Sequence, residues 1–103
     1  MEDSSRAYLR QRFDEFSKSE YITVMDGVDH CIHPDPDYRT PCPTLLLVGE
    51  HDKTGDIRTS MAAWAAREPD DEYHVIDGAG HCANLDRPDE TNARTIAFLE
   101  AQG

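Results

Sequence analysis

The sequence predicts an α/β chain with a parallel sheet, and three observations predict it. From residue 44 onward the pattern alternates strand, helix, strand, helix. Thr44 to Val48 reads Thr-Leu-Leu-Leu-Val, the continuous apolar run of a strand covered on both faces, as in parallel sheets. The segment between the two strands is long enough for a parallel crossover, which is expected to be right-handed.

The elements follow in order. Residues 4 to 17 place Leu9, Phe13 and Phe16 at i, i+4, i+7 with charges between them, an amphipathic helix that Ser4 or Ser5 would cap. Residues 20 to 32 set Tyr21, Met25, Val28 and Ile32 on one helical stripe, expected to face a core. Gly27 and the β-branched Ile22, Thr23 and Val24 weaken that helix. His33 to Pro43 holds Pro34, Pro36, Pro41 and Pro43, so it reads as an extended connector.

The first strand, about 44–48, ends at Gly49. Ile57, Met61 and Trp64 then give i, i+4, i+7 on a helix that Pro69 stops. The second strand is about 72–76, followed by the turn Asp77-Gly78-Ala79-Gly80. Pro88 suits the first turn of a last helix, with Ile96 and Leu99 expected on its inner face. The chain thus divides into a helical segment 1–33, a proline-rich connector 34–43 and an α/β segment 44–103.

Composition excludes several functions. The 103 residues carry 10 Lys plus Arg against 21 Asp plus Glu, a formal charge of −11. A nucleic-acid binder needs a basic face, and so does docking on an anionic membrane, so neither partner is expected. No apolar run could span a bilayer. From the start Met1-Glu-Asp-Ser-Ser no secretory leader is expected. Cys31, Cys42 and Cys82 are three in number and widely spaced, which suits reduced thiols and a cytoplasmic setting. Leu, Ile, Val and Phe make up less than a fifth of the residues, a low share for a self-sufficient core.

That shortage bears on the sheet. Two strands cannot cover both faces of Leu45 to Val48 and also pair both edges, and isolated two-stranded sheets are marginal. A homo-oligomer or a missing upstream half would complete it.

Chemistry is expected at the carboxyl ends of the strands. Gly49-Glu50-His51-Asp52 directly follows the first strand, and Gly78-Ala79-Gly80-His81 follows the second. Adjacent parallel strands point the same way, so Asp52 and His81 fall on one rim. A carboxylate there can hold an imidazole by one ring nitrogen and leave the other free to take a proton. Glu50 and His51 read as structural or solvent-facing. His30, Cys31, His33, Asp35, Asp37 and Cys42 include zinc-type ligands, but their spacing matches no common finger, and no metal is expected. Cys82, beside His81, reads as a small buried cysteine.

From Pro43 to Leu99 the chain resembles the C-terminal part of an α/β-hydrolase-fold enzyme. The strand ending in Gly49-Glu50-x-Asp52 resembles the segment that delivers the triad acid of that family. Gly78-x-Gly80-His81 resembles the turn that delivers its base. Asn84-Leu85-Asp86-x-Pro88 and the last helix, with Asn92 and Phe98-Leu99, are similar as well. Residues 4 to 33 resemble the end of a helical cap, whose apolar stripe could line a cleft.

The resemblance implies a partial α/β-hydrolase fold. It also implies hydrolysis of an ester, amide or related bond in a small-molecule substrate, with Asp52 and His81 catalytic and no cofactor. In that family the order is nucleophile, acid, base, with the nucleophile in Gly-x-Ser-x-Gly. No such motif occurs here: Ser4, Ser5, Ser17, Ser19 and Ser60 all lie outside one. The chain alone is therefore expected to be inactive. The alternative is a non-catalytic remnant or interaction module that associates through its incomplete sheet.

Overall fold

A computed structural model of the chain describes residues 1–33 and 35–103. Pro34, the first residue of the predicted connector, lies outside the described residues. Two helices open the chain, α1 (Asp3–Asp14) and α2 (Lys18–Cys31). The α/β part follows as β1 (Leu45–Gly49), α3 (Ile57–Arg67), β2 (Glu72–Ile76), the single turn α4 (Ala83–Asp86) and α5 (Pro88–Gln102). Strands β1 and β2 pair in parallel, with Leu45 opposite Glu72 and Gly49 opposite Ile76. The strand bounds, the crossover helix and the start of α5 at Pro88 agree with the sequence pattern.

Local chemistry accounts for the ends of α2 and α3. Ser17 caps α2 by accepting the Glu20 amide at 3.1 Å, the Ser-x-x-Glu spacing of a capping box. The sequence reading began that helix later and missed the cap. In α1 neither Ser4 nor Ser5 is the cap. The first turn closes from Arg6 N–H to the Glu2 carbonyl at 3.0 Å, and Ser5 is buried inside the helix. Phe13 and Tyr21 meet edge to face across the α1–α2 corner, ring centres 6.5 Å apart. Helix α3 ends at Arg67, two residues before Pro69.

The core is small. Its buried apolar residues are Leu46, Val48, Ile76 and Ala79. Leu46 and Val48 point to the covered face, while Leu45 and Leu47 on the other face are only half-buried. The expectation of two buried faces is met on one. The expected inner face of α5 is corrected too. Ile96 is 55% exposed and Leu99 61%, and the half-buried residues of that helix are Glu90, Thr91, Arg94, Thr95 and Phe98. The stripe Tyr21, Met25, Val28, Ile32 is likewise exposed. The cause is common to all three: the chain supplies too few elements to cover these surfaces.

Gly49 fixes how the two strand ends meet. A Cβ there would collide with the Gly80 carbonyl oxygen and lie 2.6 Å from that of Ala79. Both are backbone atoms and cannot swing away. Gly49→Ala is expected to cost about 1–3 kcal/mol by overpacking, read as a lower midpoint in urea. An unchanged midpoint would mean that the loops part freely.

Candidate active site

The two loops that leave the sheet are stitched together by backbone bonds. The Glu50 amide donates to the Ile76 carbonyl at 2.9 Å, and the His51 amide to the Ala79 carbonyl at 2.8 Å. The Glu50 carboxylate accepts the Gly78 amide at 2.9 Å. Gly78 has φ +73°, a left-handed conformation in which glycine carries no steric penalty. Glu50 is thus structural, and His51 is exposed beside it with Nε2 3.1 Å from the Glu50 carboxylate.

This stitching brings Asp52 and His81 together. His81 Nδ1 lies 3.0 Å from Asp52 Oδ2. The Asp52 side chain is 3% exposed and that of His81 48%, so the carboxylate is sheltered while the ring reaches solvent. Asp52 Oδ1 accepts the Thr54 amide at 2.9 Å, which fixes the carboxylate through its own turn. Burial pushes the Asp52 carboxyl up, but the Thr54 amide and His81 outweigh it and hold it below the ordinary carboxylate range. The carboxylate is therefore ionised at neutral pH and can only accept, so Nδ1 carries the proton. In the neutral ring Nε2 is then the basic nitrogen, and among the described residues nothing is bonded to it.

The other sequence candidates are placed as follows. Cys82 is half-buried rather than buried, and Cys31 and Cys42 are exposed. Among the described residues no group of three or more His, Cys, Asp or Glu could hold a metal ion. Among them too, no helix is long and apolar enough to cross a membrane.

Sequence reasoning missed one residue at this rim. Asp86, at the end of α4, has a side chain with no exposure. It accepts the Gly80 amide at 2.8 Å and the Glu2 amide at 2.9 Å. Burial alone would raise this carboxyl. The Ser5 hydroxyl, the Glu2 and Gly80 amides and the terminal ammonium together hold it at about 2. The sequence placed it in the family-like segment Asn84-Leu85-Asp86-x-Pro88 but gave it no role.

Both acids have folded values below their unfolded ones. Their contribution to stability is therefore full above about pH 4 and lost as the pH falls through the folded values. Asp86 alone is expected to contribute about 2 kcal/mol, lost between roughly pH 4 and pH 2. Protonating the many other acids relieves repulsion and acts the other way, so the difference between wild type and Asp86→Asn isolates the effect. Thermal melts from pH 5 to pH 2 should show the two proteins converging. A constant gap across that range would contradict it.

Known proteins show which family the chain resembles. The model of the "Alpha/beta hydrolase family" matches residues 34–94, well over half of the chain. A Bacillus subtilis (strain 168) protein named "uncharacterized carboxylesterase nap" is 35% identical over 60 residues, 58% of this chain and 20% of its own length. A Rattus norvegicus protein named "putative protein-lysine deacylase ABHD14B" is 34% identical over 62 residues, 60% of this chain and 28% of its own length. The chain thus spans between a fifth and a third of these relatives. No solved structure gives a significant match. On the family match, its parallel strands and the loops at their carboxyl ends, this chain belongs to the alpha/beta hydrolase family.

Proposed function

We propose that this chain is the acid–base portion of a hydrolase that cleaves an ester, amide or related bond of a small molecule. The observation that carries the reading is the Asp52–His81 bond of 3.0 Å at the carboxyl ends of adjacent parallel strands. In this reading His81 Nε2 takes the proton of a nucleophile as it attacks the carbonyl carbon. His81 then returns that proton to the leaving group. Asp52 keeps the ring in the required tautomer and stabilises the imidazolium that forms. The nucleophile comes from a segment outside these residues, since none of the five serines stands in a Gly-x-Ser-x-Gly turn. The names of the relatives, a carboxylesterase and a protein-lysine deacylase, both describe acyl-group chemistry and support the reaction class. Residues 1–33 fit a cap segment joined to the core by the connector. The three free thiols suit a reducing, cytoplasmic setting.

The chain by itself is expected to hydrolyse p-nitrophenyl acetate no faster than an exposed imidazole does, because no positioned nucleophile is present. His81→Ala should lower even that background slightly. A saturable rate, lost on the substitution, would show that a nucleophile lies within these residues.

A second reading has its own observation. Among the described residues the outer edge of β1 pairs with no strand, and beside it Leu45, Leu47, Met61, Phe98 and Leu99 line an open apolar trough. A module that kept the fold only to bind a partner would use this edge. An upstream segment carrying the nucleophile turn decides for the enzyme, and its absence decides for the module.

A further inference from the structure

We propose that Asp86 is a positioning residue for His81, acting through the peptide unit that joins Ala79 to Gly80. The inference rests on the acid–base reading of Asp52 and His81 and extends it to a residue that touches neither ring.

The Ala79 carbonyl and the Gly80 N–H belong to one rigid peptide plane. The carbonyl is held from the acid loop by the His51 amide at 2.8 Å. The N–H is held from the opposite side by Asp86 Oδ2 at 2.8 Å. The plane is clamped at both ends, and His81 is the next residue after it. Two dihedrals at Gly80 then set where the imidazole projects. Gly80 has no side chain to restrict them, so the clamp supplies the restriction.

Asp86 is well placed to act this way. The turn α4 closes through Leu85 and Asp86 amides donating to the Cys82 carbonyl, at 2.9 and 3.0 Å, and Arg87 N–H to Ala83 at 2.8 Å. This folds Asp86 back over the loop from which it came. Its other oxygen is held by the Glu2 amide, so the carboxylate cannot rotate away from Gly80. A bond to an ionised acceptor in a sheltered site is roughly twice as strong as a neutral one. A neutral amide at position 86 has one acceptor atom for two N–H donors and turns an NH2 group toward one of them.

The test reads the His81 ring directly by NMR on the intact chain, in wild type, Asp52→Asn, Asp86→Asn, Asp86→Glu and Leu46→Ala. Leu46→Ala is a control that lowers stability from a buried position within β1. The wild type should show a downfield Nδ1 proton and the Nδ1–H tautomer dominant, whereas in Asp52→Asn the Nδ1 proton is lost and Nε2 carries it instead. If Asp52→Asn changes nothing, the acid–base reading itself fails. Asp86→Asn should lower the tautomer ratio by about tenfold and broaden the Nδ1 proton, the size supported by loss of one charge-assisted hydrogen bond. Asp86→Glu should restore part of the signal, and Leu46→Ala should keep it in full at equal or greater loss of stability.

An unchanged His81 signature in folded Asp86→Asn overturns the proposal, and so does a loss that Leu46→Ala shares. Should Asp86→Asn not fold, the wild type decides on acidification. The Gly80 amide should shift with the Asp86 carboxyl carbon, and the His81 Nδ1 proton should broaden with the same midpoint. A Nδ1 proton that follows only the Asp52 carboxyl carbon overturns it.

Discussion

Fused behind a core segment that carries a Gly-x-Ser-x-Gly turn, the chain is expected to become an esterase whose rate depends on His81. His81→Ala should lower kcat/KM for a p-nitrophenyl ester by about 10³–10⁴-fold, the range for removing the base of a nucleophile–base–acid arrangement. Asp52→Asn should cost a similar factor by a different route. An asparagine can present its NH2 to Nδ1, which favours the tautomer with the proton on Nε2 and removes the basic nitrogen from the reaction. The two substitutions together should cost little more than either alone, because both disable one proton-transfer unit.

The sheet determines whether the fusion can work. Serine turns of this family sit at the carboxyl end of a strand, and among the described residues β1 has an unpaired outer edge on which such a strand could lie. In that arrangement the nucleophile would reach the rim from which His81 Nε2 faces solvent. The decisive measurement is the pair of His81→Ala and Asp52→Asn rates in an active fusion. Retention of full activity by His81→Ala would remove the acid–base reading, whatever the fold.

Much of this was legible in the sequence, for reasons particular to each element. Leu45 to Val48 and Glu72 to Ile76 are bounded by glycine or proline and held to one orientation by the crossover. Their bounds and parallel pairing were therefore readable. Asp52 and His81 each follow a strand end by a few residues, so their sharing of a rim followed from the direction of the strands.

What was not legible depended on what covers a surface. The stripe from Tyr21 to Ile32, and Ile96 and Leu99, have the periodicity of inward faces, but periodicity does not say whether this chain contains the element they face. Asp86 was visible in a family-like segment, but its role was hidden for another reason. Its partners are backbone amides, which leave no residue-type signal, and one of them, at Glu2, lies at the other end of the chain. Ser5 shows the same effect: its helical position reads as a cap, while its burial comes from packing beside that acid.

The chain in isolation is expected to associate with itself. Among the described residues fourteen large apolar side chains are exposed, among them Phe13, Phe16, Ile22, Ile32, Ile96 and Leu99, against Leu46, Val48 and Ile76 buried in the core. The radius of gyration is 15.8 Å, where a compact chain of this length would have about 13 Å. Covering half of the exposed apolar area of six such side chains, at about 25 cal/mol per Å², is worth several kcal/mol, comparable to the stability of a small domain. The charge of −11 opposes close approach, but its repulsion is screened within about 8–10 Å at ordinary salt. A second copy can cover α5 and the trough beside β1. It can also exchange α1 and α2, which are tied to the rest by few bonds, chiefly Glu2 to Asp86 and Glu2 to Arg87. Sedimentation equilibrium from about 1 to 100 µM should therefore give a mass above 11.6 kDa that rises with concentration. Ile96→Glu with Leu99→Glu should lower that mass, since both side chains lie on the exposed face of α5 and neither contributes to the core. A monomer that melts cooperatively at micromolar concentration would mean that the small core around Leu46, Val48 and Ile76 suffices, and that the uncovered faces need no partner.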